Sequence, residues 1–228
     1  MTVLFKKLMP VFTLLFVQAG AVFAEMNVVA NNEAPGAAAK VLAQRNAKAE
    51  LEKLTARQVI EAFQADLLET MKQGKTLGFK GRYEKLEQPV KNSHDLTKIA
   101  RIVIGKDWKN LSEEQKQKML DIFTRLSIAS YAYNFKDFSG EAFRYDSEEQ
   151  TARGGVIVHT YLVLPEDKDV KFDYMLKNKG DGWRIINIIA NGVSDLALKR
   201  SEYTSILKRE GFDALIAKIS DKIDKYSQ

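Results

Sequence analysis

Three stretches of alternating apolar and polar residues in the C-terminal half constrain the fold of this chain more than any other feature. They cover residues 156–164, 170–176 and 183–189. In the second stretch, every other side chain is apolar, which places the apolar ones on one face of a strand. Turn-forming residues around Pro165 and Gly180 separate the stretches. The pattern predicts an antiparallel meander with one apolar face that other parts of the chain must cover.

Amphipathic helices before and after the meander can cover that face. Thr55 and Ser112 each begin a capping box ahead of apolar residues at helical spacing. Asp95 is expected to cap a third helix, and either Ser194 or Asp195 caps one after the meander. Further expected features are a helix stop at Gly74, a short helix over residues 82–91 that Pro89 ends early, a strand over residues 141–145, and a last helix capped by Asp213. The predicted fold class is α+β, with helices packed on a twisted antiparallel sheet of about four strands in an NTF2-like or cystatin-like arrangement.

The N-terminus has the pattern of a secretory signal peptide. Lys6 and Lys7 precede about ten mostly apolar residues, and small residues lead up to Ala24. Spanning a bilayer needs about 20 apolar residues, so cleavage after Ala24 is favoured over an uncleaved anchor. The predicted organisation is a signal peptide over residues 1–24, a flexible or helical leader over residues 25–54, and one folded domain over residues 55–228.

Composition excludes several kinds of site. The chain has no cysteine, so it has no disulfide, thiolate zinc site or thiol nucleophile. Removing residues 1–24 leaves 33 basic and 30 acidic residues, a formal charge of +3. That charge does not favour a nucleic-acid partner. It fits encounters with anionic lipid headgroups and fits a merely soluble surface equally well.

Neither histidine belongs to a catalytic or metal-binding motif. His159 lies in the middle of a predicted strand and His94 precedes a helix cap, and neither has a ligand partner at helical spacing. A structural role is the simpler interpretation of His159, and a role as ligand or base is the alternative. Residues 74–76 match the end of a P-loop without its first glycine or its strand. We therefore expect no catalytic residue, no metal and no other cofactor.

The apolar surface is the remaining source of function. The helical stripes and the strand faces together supply much apolar surface for one domain. One interpretation is that all of it packs into a single solid core. The other is that the sheet and the helices enclose a cavity for a lipophilic ligand.

Several short motifs, in order along the chain, resemble the MlaC (toluene-tolerance) family. The motifs are VIGKDW at 103–108, LSEEQ at 111–115, Phe123, Tyr131-Ala132, GWRI at 182–185, GVS at 192–194, and Arg200, Leu207, Gly211, Leu215 and Ile216. The resemblance covers residues 56–223. Residues 131–143 and 195–203 look like the hopanoid-associated branch of the family. Asn187 and Asn191 depart from the family pattern, which often has Asp and Glu there.

The resemblance implies a monomeric periplasmic lipid carrier. Members of the family hold the acyl tails of a phospholipid between the sheet and the helices. They pass it between an outer-membrane lipoprotein–porin complex and an inner-membrane ABC transporter with an MCE-domain partner. The hopanoid-associated branch is thought to serve a sterol-like lipid instead. Such a role needs neither nucleic acid nor catalysis.

The residues expected to line a lipid cavity come from both layers. From the sheet they are Val156, Val158, Leu162, Val170, Phe172, Tyr174, Trp183 and Ile185. From the helices they are Phe63, Leu67, Ile102, Phe123, Leu126 and Phe135. Two other classes of protein remain as alternatives. One is a periplasmic adaptor or chaperone with an exposed apolar groove. The other is an NTF2-like or cystatin-like enzyme with paired buried carboxylates, which the predicted direction of Asp173, opposite to Phe172, disfavours.

Overall fold

The computed structural model describes residues 49–50 and 53–228. Of the two units into which the chain divides, Met1–Glu50 and Leu51–Gln228, the second carries the sheet and the helices that pack on it. The predicted signal peptide and most of the predicted leader lie outside the described residues. Among the described helices, none combines the length and the apolarity that a membrane crossing demands.

Over residues 55–228, six α-helices accompany a five-stranded sheet. The helices are α1 Ala56–Lys72, α2 Gly74–Ser93, α3 Leu96–Ile104, α4 Glu113–Asn134, α5 Asp195–Glu210 and α6 Phe212–Ser227, with a 3₁₀ helix at Gly105–Asn110. The strands are β1 Ala142–Gln150, β2 Gly155–Val163, β3 Val170–Asn178, β4 Trp183–Ala190 and β5 Val193–Ser194. Each strand pairs antiparallel with its neighbour in sequence. The predicted α+β class and the meander are confirmed, with the two-residue β5 as a fifth strand.

The predicted helix starts are confirmed at four positions. Thr55 and Ser112 both form complete capping boxes, each with the glutamine three residues later. Asp95 accepts a hydrogen bond from the backbone N–H of Lys98 and so caps α3. Of the two candidates for α5, Ser194 is the cap, and its hydroxyl accepts from the Ala197 N–H. These side chains satisfy backbone donors that a helix leaves unpaired in its first turn.

The prediction for residues 82–91 is wrong in both its bounds. The first helix does end just before Gly74, at Lys72 with Gln73 as its cap, but Gly74 also begins α2, which continues through Pro89 to Ser93. A kink at Gly78, with φ +60°, divides α2 into two helical segments. The helix continues past Pro89 because Leu86 and Val90 are fully buried. Their packing outweighs the cost of the backbone hydrogen bond that proline cannot donate.

Two further predictions need correction. The first strand is Ala142–Gln150 rather than residues 141–145, with a bulge between Tyr145 and Ser147. Its second half is polar and exposed, so it lacks the alternation that would identify a strand. Asp213 does not cap the last helix, which begins one residue before it. Gly211 occupies the cap position with φ +85° and without a side-chain hydrogen bond.

The apolar residues form two packing zones. In the first, α1 lies against β1, β2 and β4 and covers the buried face of the sheet. In the second, α3, α4, α5 and α6 pack around a helical core of Ile99, Ala100, Val103, Ile104, Met119, Ile122, Phe123, Leu126, Ala129, Tyr203, Ile206, Phe212, Leu215, Ile216, Ile219 and Ile223. The helical core supports the layer that faces the sheet.

A buried arginine ties the start of α2 to the end of α4. The Arg82 guanidinium donates to the carbonyl oxygen of Ala132 at 2.7 Å and to that of Gly74 at 2.6 Å. Ala132 lies in the last turn of α4, where carbonyl oxygens lack a helical partner and carry the negative end of the helix dipole, whereas Gly74 is the first residue of α2. The side chain is 7% exposed, so water cannot replace these hydrogen bonds without local opening.

We expect Arg82→Met to lower the free energy of unfolding by about 2 kcal/mol, because it removes two charge-assisted hydrogen bonds from buried carbonyl groups. Urea unfolding followed by circular dichroism measures the change. The matched control is Lys85→Met, which removes a partly exposed ion pair with Glu69 at 3.6 Å and should cost no more than about 1 kcal/mol. Equal losses in the two variants would contradict the role assigned to Arg82.

Candidate functional site

The buried face of the sheet, which we call the inward face, is almost entirely apolar. In the pairing of β2 with β3, Val158 lies opposite Tyr174, Leu162 opposite Val170, and Val156 opposite Leu176. All six side chains are buried. Because side chains alternate along each strand, these positions share one face. The inward face is therefore a continuous apolar surface across the two central strands.

A bulge extends the inward face across β4. Ile188 lies opposite Tyr174 and Ile185 lies opposite Leu176, although they are three residues apart in sequence. The extra residue in β4 restores both isoleucines to the same face, which strict alternation would not allow. Ile185 is completely buried, whereas Ile188 and Trp183 are only partly buried.

The predicted lining residues fall into three groups. Buried on the inward face are Val156, Val158, Leu162, Val170, Phe172, Tyr174 and Ile185, and buried on the helices are Phe63, Leu67, Phe123, Leu126 and Phe135. Of the second group, Phe123 and Leu126 belong to the helical core, beside residues of α3, α5 and α6. Trp183 and Ile102 are partly buried. The structure thus brings most of the predicted set together and puts two members in a different packing zone.

Sequence reasoning missed a pair of polar side chains inside this apolar region. The Gln64 amide nitrogen on α1 donates to the Thr160 hydroxyl at 3.0 Å and to the Tyr174 hydroxyl at 3.4 Å. Thr160 occupies an inward position of β2, between Val158 and Leu162. The alternation that placed these two neighbours on the inward face therefore places Thr160 there as well. These hydrogen bonds form a polar link between α1 and the inward face, and they are fully desolvated.

Aromatic rings of α1, α4 and the α2–α3 junction meet beside the inward face. The Phe63 ring lies edge-on to both His94 and Tyr131, with centroid distances of 5.1 Å each. Tyr131 continues to Phe135 at 5.9 Å. Such edge-on and tilted pairs are the favoured arrangements of aromatic side chains. We call Phe63, His94, Tyr131 and Phe135 the aromatic junction.

The polar atoms of the aromatic junction are held uncharged. His94 places Nε2 3.0 Å from the Tyr131 hydroxyl and Nδ1 2.8 Å from that of Ser93. Burial lowers the pKa of His94 to about 4, and burial also raises the pKa of Tyr131 well above its usual value. Both groups are therefore neutral around pH 7, as an apolar environment requires.

A hydrogen-bonded seam joins the helices to β4 at the same place. The backbone N–H of Asp95 donates to the Ile185 carbonyl at 2.9 Å, and His94 forms an isolated bridge with the same residue. The Asp95 carboxylate caps α3 and also forms an ion pair with Lys179 from the β3–β4 turn. A groove of about 300 Å³ runs beside the seam, with lining residues that include Lys91, Thr97, Thr124, Asp181 and Arg184.

The opposite face of the sheet, which we call the outward face, has its own charged cluster. His159 Nδ1 lies 2.6 Å from the Asp173 carboxylate, and the Lys171 amine lies 3.3 Å from the same oxygen. Asp173 therefore points away from the inward face, as predicted, and has two basic partners. Over the part of the chain that the structure describes, no group of three or more histidines and acids could hold a metal ion.

Asn187 and Asn191 both make structural hydrogen bonds. The Asn187 side-chain oxygen accepts from the Ser194 hydroxyl at 3.0 Å and thereby supports the start of α5. Asn191 has φ +47° in the β4–β5 turn, and its side chain accepts from the Lys171 N–H at 2.9 Å. Asparagine tolerates this backbone conformation better than most residues. The two departures from the family pattern thus retain polar contacts.

Comparison with known proteins relates this architecture to a lipid-transport family. The sequence profile of the MlaC protein family matches residues 61–221. A curated relative, the intermembrane phospholipid transport system binding protein MlaC of Haemophilus influenzae, is 25% identical over 121 residues, which is 51% of this chain. The alignment spans 56% of that relative, little more than half of its length.

A solved structure has the same fold. It is a phospholipid-binding protein from Ralstonia solanacearum in complex with a phospholipid. The two structures superpose with a TM-score of 0.68 and 19% sequence identity, over 77% of this chain and 100% of the other. The likeness confirms the arrangement of helices on an open antiparallel sheet.

Proposed function

The chain belongs to the MlaC family, and from this premise we propose that it is a periplasmic carrier that shelters the acyl tails of a phospholipid and shuttles it between the outer and inner membranes. The observation that carries the proposal is the inward face, which is apolar across three strands and is covered by α1. A similar fold is known with a bound phospholipid in the Ralstonia solanacearum protein.

The energetic task of such a carrier is to keep hydrocarbon out of water. A diacyl phospholipid has about 30 tail carbons, and exposing each to water costs about 0.8 kcal/mol, so unaided transfer faces a barrier of about 24 kcal/mol. An apolar interior lowers this barrier without making or breaking a covalent bond. The proposed function is therefore binding and transport, and it assigns no catalytic residue and no cofactor.

Tail entry requires α1 to separate from the sheet, because the inward face is already buried. The hydrogen bonds from Gln64 to Thr160 and Tyr174 are polar contacts that this separation breaks. Apolar tails replace the apolar surface of α1, so most of the lost burial is regained when lipid binds. On this proposal Phe63, Leu67 and the inward face contact the tails, while Phe123 and Leu126 support them from the helical core.

The direction of transport must come from partners. The proposed partners are an outer-membrane lipoprotein–porin complex and an inner-membrane ABC transporter with an MCE-domain subunit, as in Mla-type systems. The name of the Haemophilus influenzae relative, a binding protein of an intermembrane phospholipid transport system, supports this assignment. Export through a cleaved signal peptide over residues 1–24 would bring the chain to the periplasm.

Pocket-filling substitutions test the carrier directly. We expect Val158→Trp and Phe172→Trp each to abolish most of the co-purifying lipid, because an indole would occupy space on the inward face. Native mass spectrometry measures bound lipid and a thermal melt measures stability. The matched control is Val163→Trp, which lies on the outward face of the same strand as Val158 and should leave bound lipid unchanged.

The outcomes separate the proposed carrier from its alternatives. Unchanged lipid with a lowered melting temperature would mean that Val158 and Phe172 pack in a solid core, where overpacking costs about 1–3 kcal/mol. A protein that never co-purifies with lipid would favour an adaptor that binds other proteins. A sterol-like lipid in place of a phospholipid would assign the chain to the hopanoid-associated branch.

A further inference from the structure

Five basic residues lie on α3 and on the two elements that meet its C-terminal end, the 3₁₀ helix and α5. Lys98 and Arg101 are one turn apart on α3, and Lys106 and Lys109 are one turn apart on the 3₁₀ helix that follows. Arg200 reaches the same place from α5, since a methyl group built on the glycine that links the two helices would lie 3.5 Å from its Nη2 atom. We call these five residues the basic ridge.

The protein does not neutralise the basic ridge. Within the described residues, no carboxylate lies within 4.0 Å of any of the five side chains. Residues 96–111 contain four basic residues and one acid, Asp107, a net formal charge of +3, and Arg200 adds a fifth cation from α5. Nearby on α5 and α6, by contrast, Lys199 pairs with Asp195 and Lys218 pairs with Glu210.

Helix stability accounts for only part of this charge. Cations near the C-terminus of α3 complement the helix dipole, which explains Arg101 and Arg200. Lys106 and Lys109 lie beyond that terminus, are exposed, and gain nothing from it. Like charges at this spacing repel one another in the isolated protein, so an external anion would relieve a repulsion that the fold leaves in place.

We propose that the basic ridge docks the protein on a bilayer that carries anionic lipid headgroups. Mobile headgroups can arrange themselves around long, unpaired lysine and arginine side chains, and each such residue contributes to attraction near an anionic membrane. Trp108, partly buried between Lys106 and Lys109, is of the residue type that is enriched at headgroup level. The proposal concerns the outer surface and does not depend on which lipid the interior carries.

A bilayer fits the ridge better than an acidic protein does. Stable protein interfaces have an apolar centre surrounded by a polar rim. Among the described residues, the large apolar side chains that are most exposed are Phe138 and Leu198, and neither belongs to the ridge. A surface of cations in which the one large apolar side chain, Trp108, is partly buried matches the charge-driven, salt-sensitive attraction expected of lipid headgroups.

Vesicle co-sedimentation tests the proposal. We expect the purified protein to sediment with vesicles that contain about 25% phosphatidylglycerol in phosphatidylcholine, and not with phosphatidylcholine alone. High salt should release it, because exposed charges are screened. The triple variant Lys98→Gln, Lys106→Gln and Lys109→Gln should bind the anionic vesicles about 100-fold more weakly, since each lost charge reduces binding about fivefold.

The matched control changes the net charge equally at scattered positions. Lys75→Gln, Arg153→Gln and Lys225→Gln replace three exposed cations away from the ridge, and this variant should bind within about fivefold of the unmodified protein. Equal weakening in the two triple variants would overturn the ridge as the docking site. No binding to anionic vesicles by the unmodified protein would overturn the bilayer as its partner, whether or not an acidic protein binds there. Lipid content, measured in parallel, reports separately on the carrier function.

Discussion

Gly74→Ala is expected to lower the free energy of unfolding by about 3 kcal/mol, because its added methyl group overlaps with backbone atoms. An alanine Cβ at this position would lie 1.9 Å from the carbonyl oxygen of Lys136 and 2.7 Å from its carbonyl carbon. Both atoms belong to the backbone, so no side-chain rotation relieves the overlap. The start of α2 would have to move away from the residues that follow α4.

That movement also disturbs the Arg82 contacts, which strengthens the effect. The Gly74 carbonyl is one of the two acceptors of the Arg82 guanidinium, so a displaced Gly74 loses a buried hydrogen bond as well as its packing. Thermal unfolding measures the result, and a loss of about 3 kcal/mol corresponds to a melting temperature lower by about 10 °C for a domain of this size. The effect is on stability and requires no change in the inward face.

The same substitution elsewhere in α2 provides the control. Gly81→Ala meets only the flexible side chain of Leu77, at 3.1 Å, and replaces glycine by the best helix former, so stability should stay level or rise by up to about 1 kcal/mol. A Gly74→Ala variant as stable as Gly81→Ala would show that the backbone approach at Lys136 is looser than the structure has it.

This close approach is an example of what the sequence could not reveal. A glycine after an amphipathic stripe is typical of a helix stop, and α1 does end just before Gly74. Nothing local reveals that this glycine also contacts Lys136, a residue 62 positions later. The continuation of α2 through Pro89 has a similar origin, since the burial of Leu86 and Val90 depends on tertiary packing. At Pro89 tertiary packing outweighed the local signal, and at Gly74 it added a contact that no local signal reveals.

Local chemistry made other parts predictable. The caps at Thr55, Asp95 and Ser112 follow from side chains that bond their own helix within three residues. The inward face follows from strict alternation in β2 and β3, which fixes the side of the sheet for each residue. The bulge in β4 has no such local signature, so the shared face of Ile185 and Ile188 appears only in the pairing.

The candidate site was predictable for its sheet residues but only in part for its helical residues. Alternation identified the sheet residues, but helical periodicity alone could not say which partner an apolar stripe would meet. Phe123 and Leu126 therefore lie in the helical core, on the stripe of α4 that α3 and α6 cover. His94, which the sequence places only as the residue before a helix cap, is 8% exposed and packs against the rings of Phe63 and Tyr131.

Acid is expected to remove about 3 kcal/mol of stability through His94 alone. Burial lowers the pKa of His94 from 6.5 to about 4, so the folded protein keeps it neutral where the unfolded chain already binds a proton. The unfolded state then holds more protons, and stability falls as the pH falls. The contribution is complete above about pH 6.5 and is lost progressively down to about pH 4, a span of about 2.5 pH units that gives the stated magnitude.

The surroundings of His94 explain why protonation is costly. Its ring packs edge-on to Phe63 and contacts the Tyr131 hydroxyl, and neither group carries a charge that could compensate an imidazolium. The nearest charged groups with an influence are Asp195, which favours the proton, and Lys199, which opposes it. Because Lys199 is ion-paired with Asp195, their opposite effects on His94 partly cancel. Desolvation is therefore the dominant cause of the lowered pKa of His94.

Urea unfolding at about pH 7.5 and about pH 4.5 measures this contribution as a difference between variants. His94→Gln removes the titrating group, so between these two pH values the variant should lose less stability than the unmodified protein, by about 2.5 kcal/mol, even though it starts from a lower stability at pH 7.5. His159→Gln is the matched control, since it removes the other histidine, on the outward face beside Asp173, and should retain the loss that His94 causes. An unchanged acid dependence in His94→Gln would show that the aromatic junction accommodates an imidazolium, and that the region around it is wetter than its packing implies.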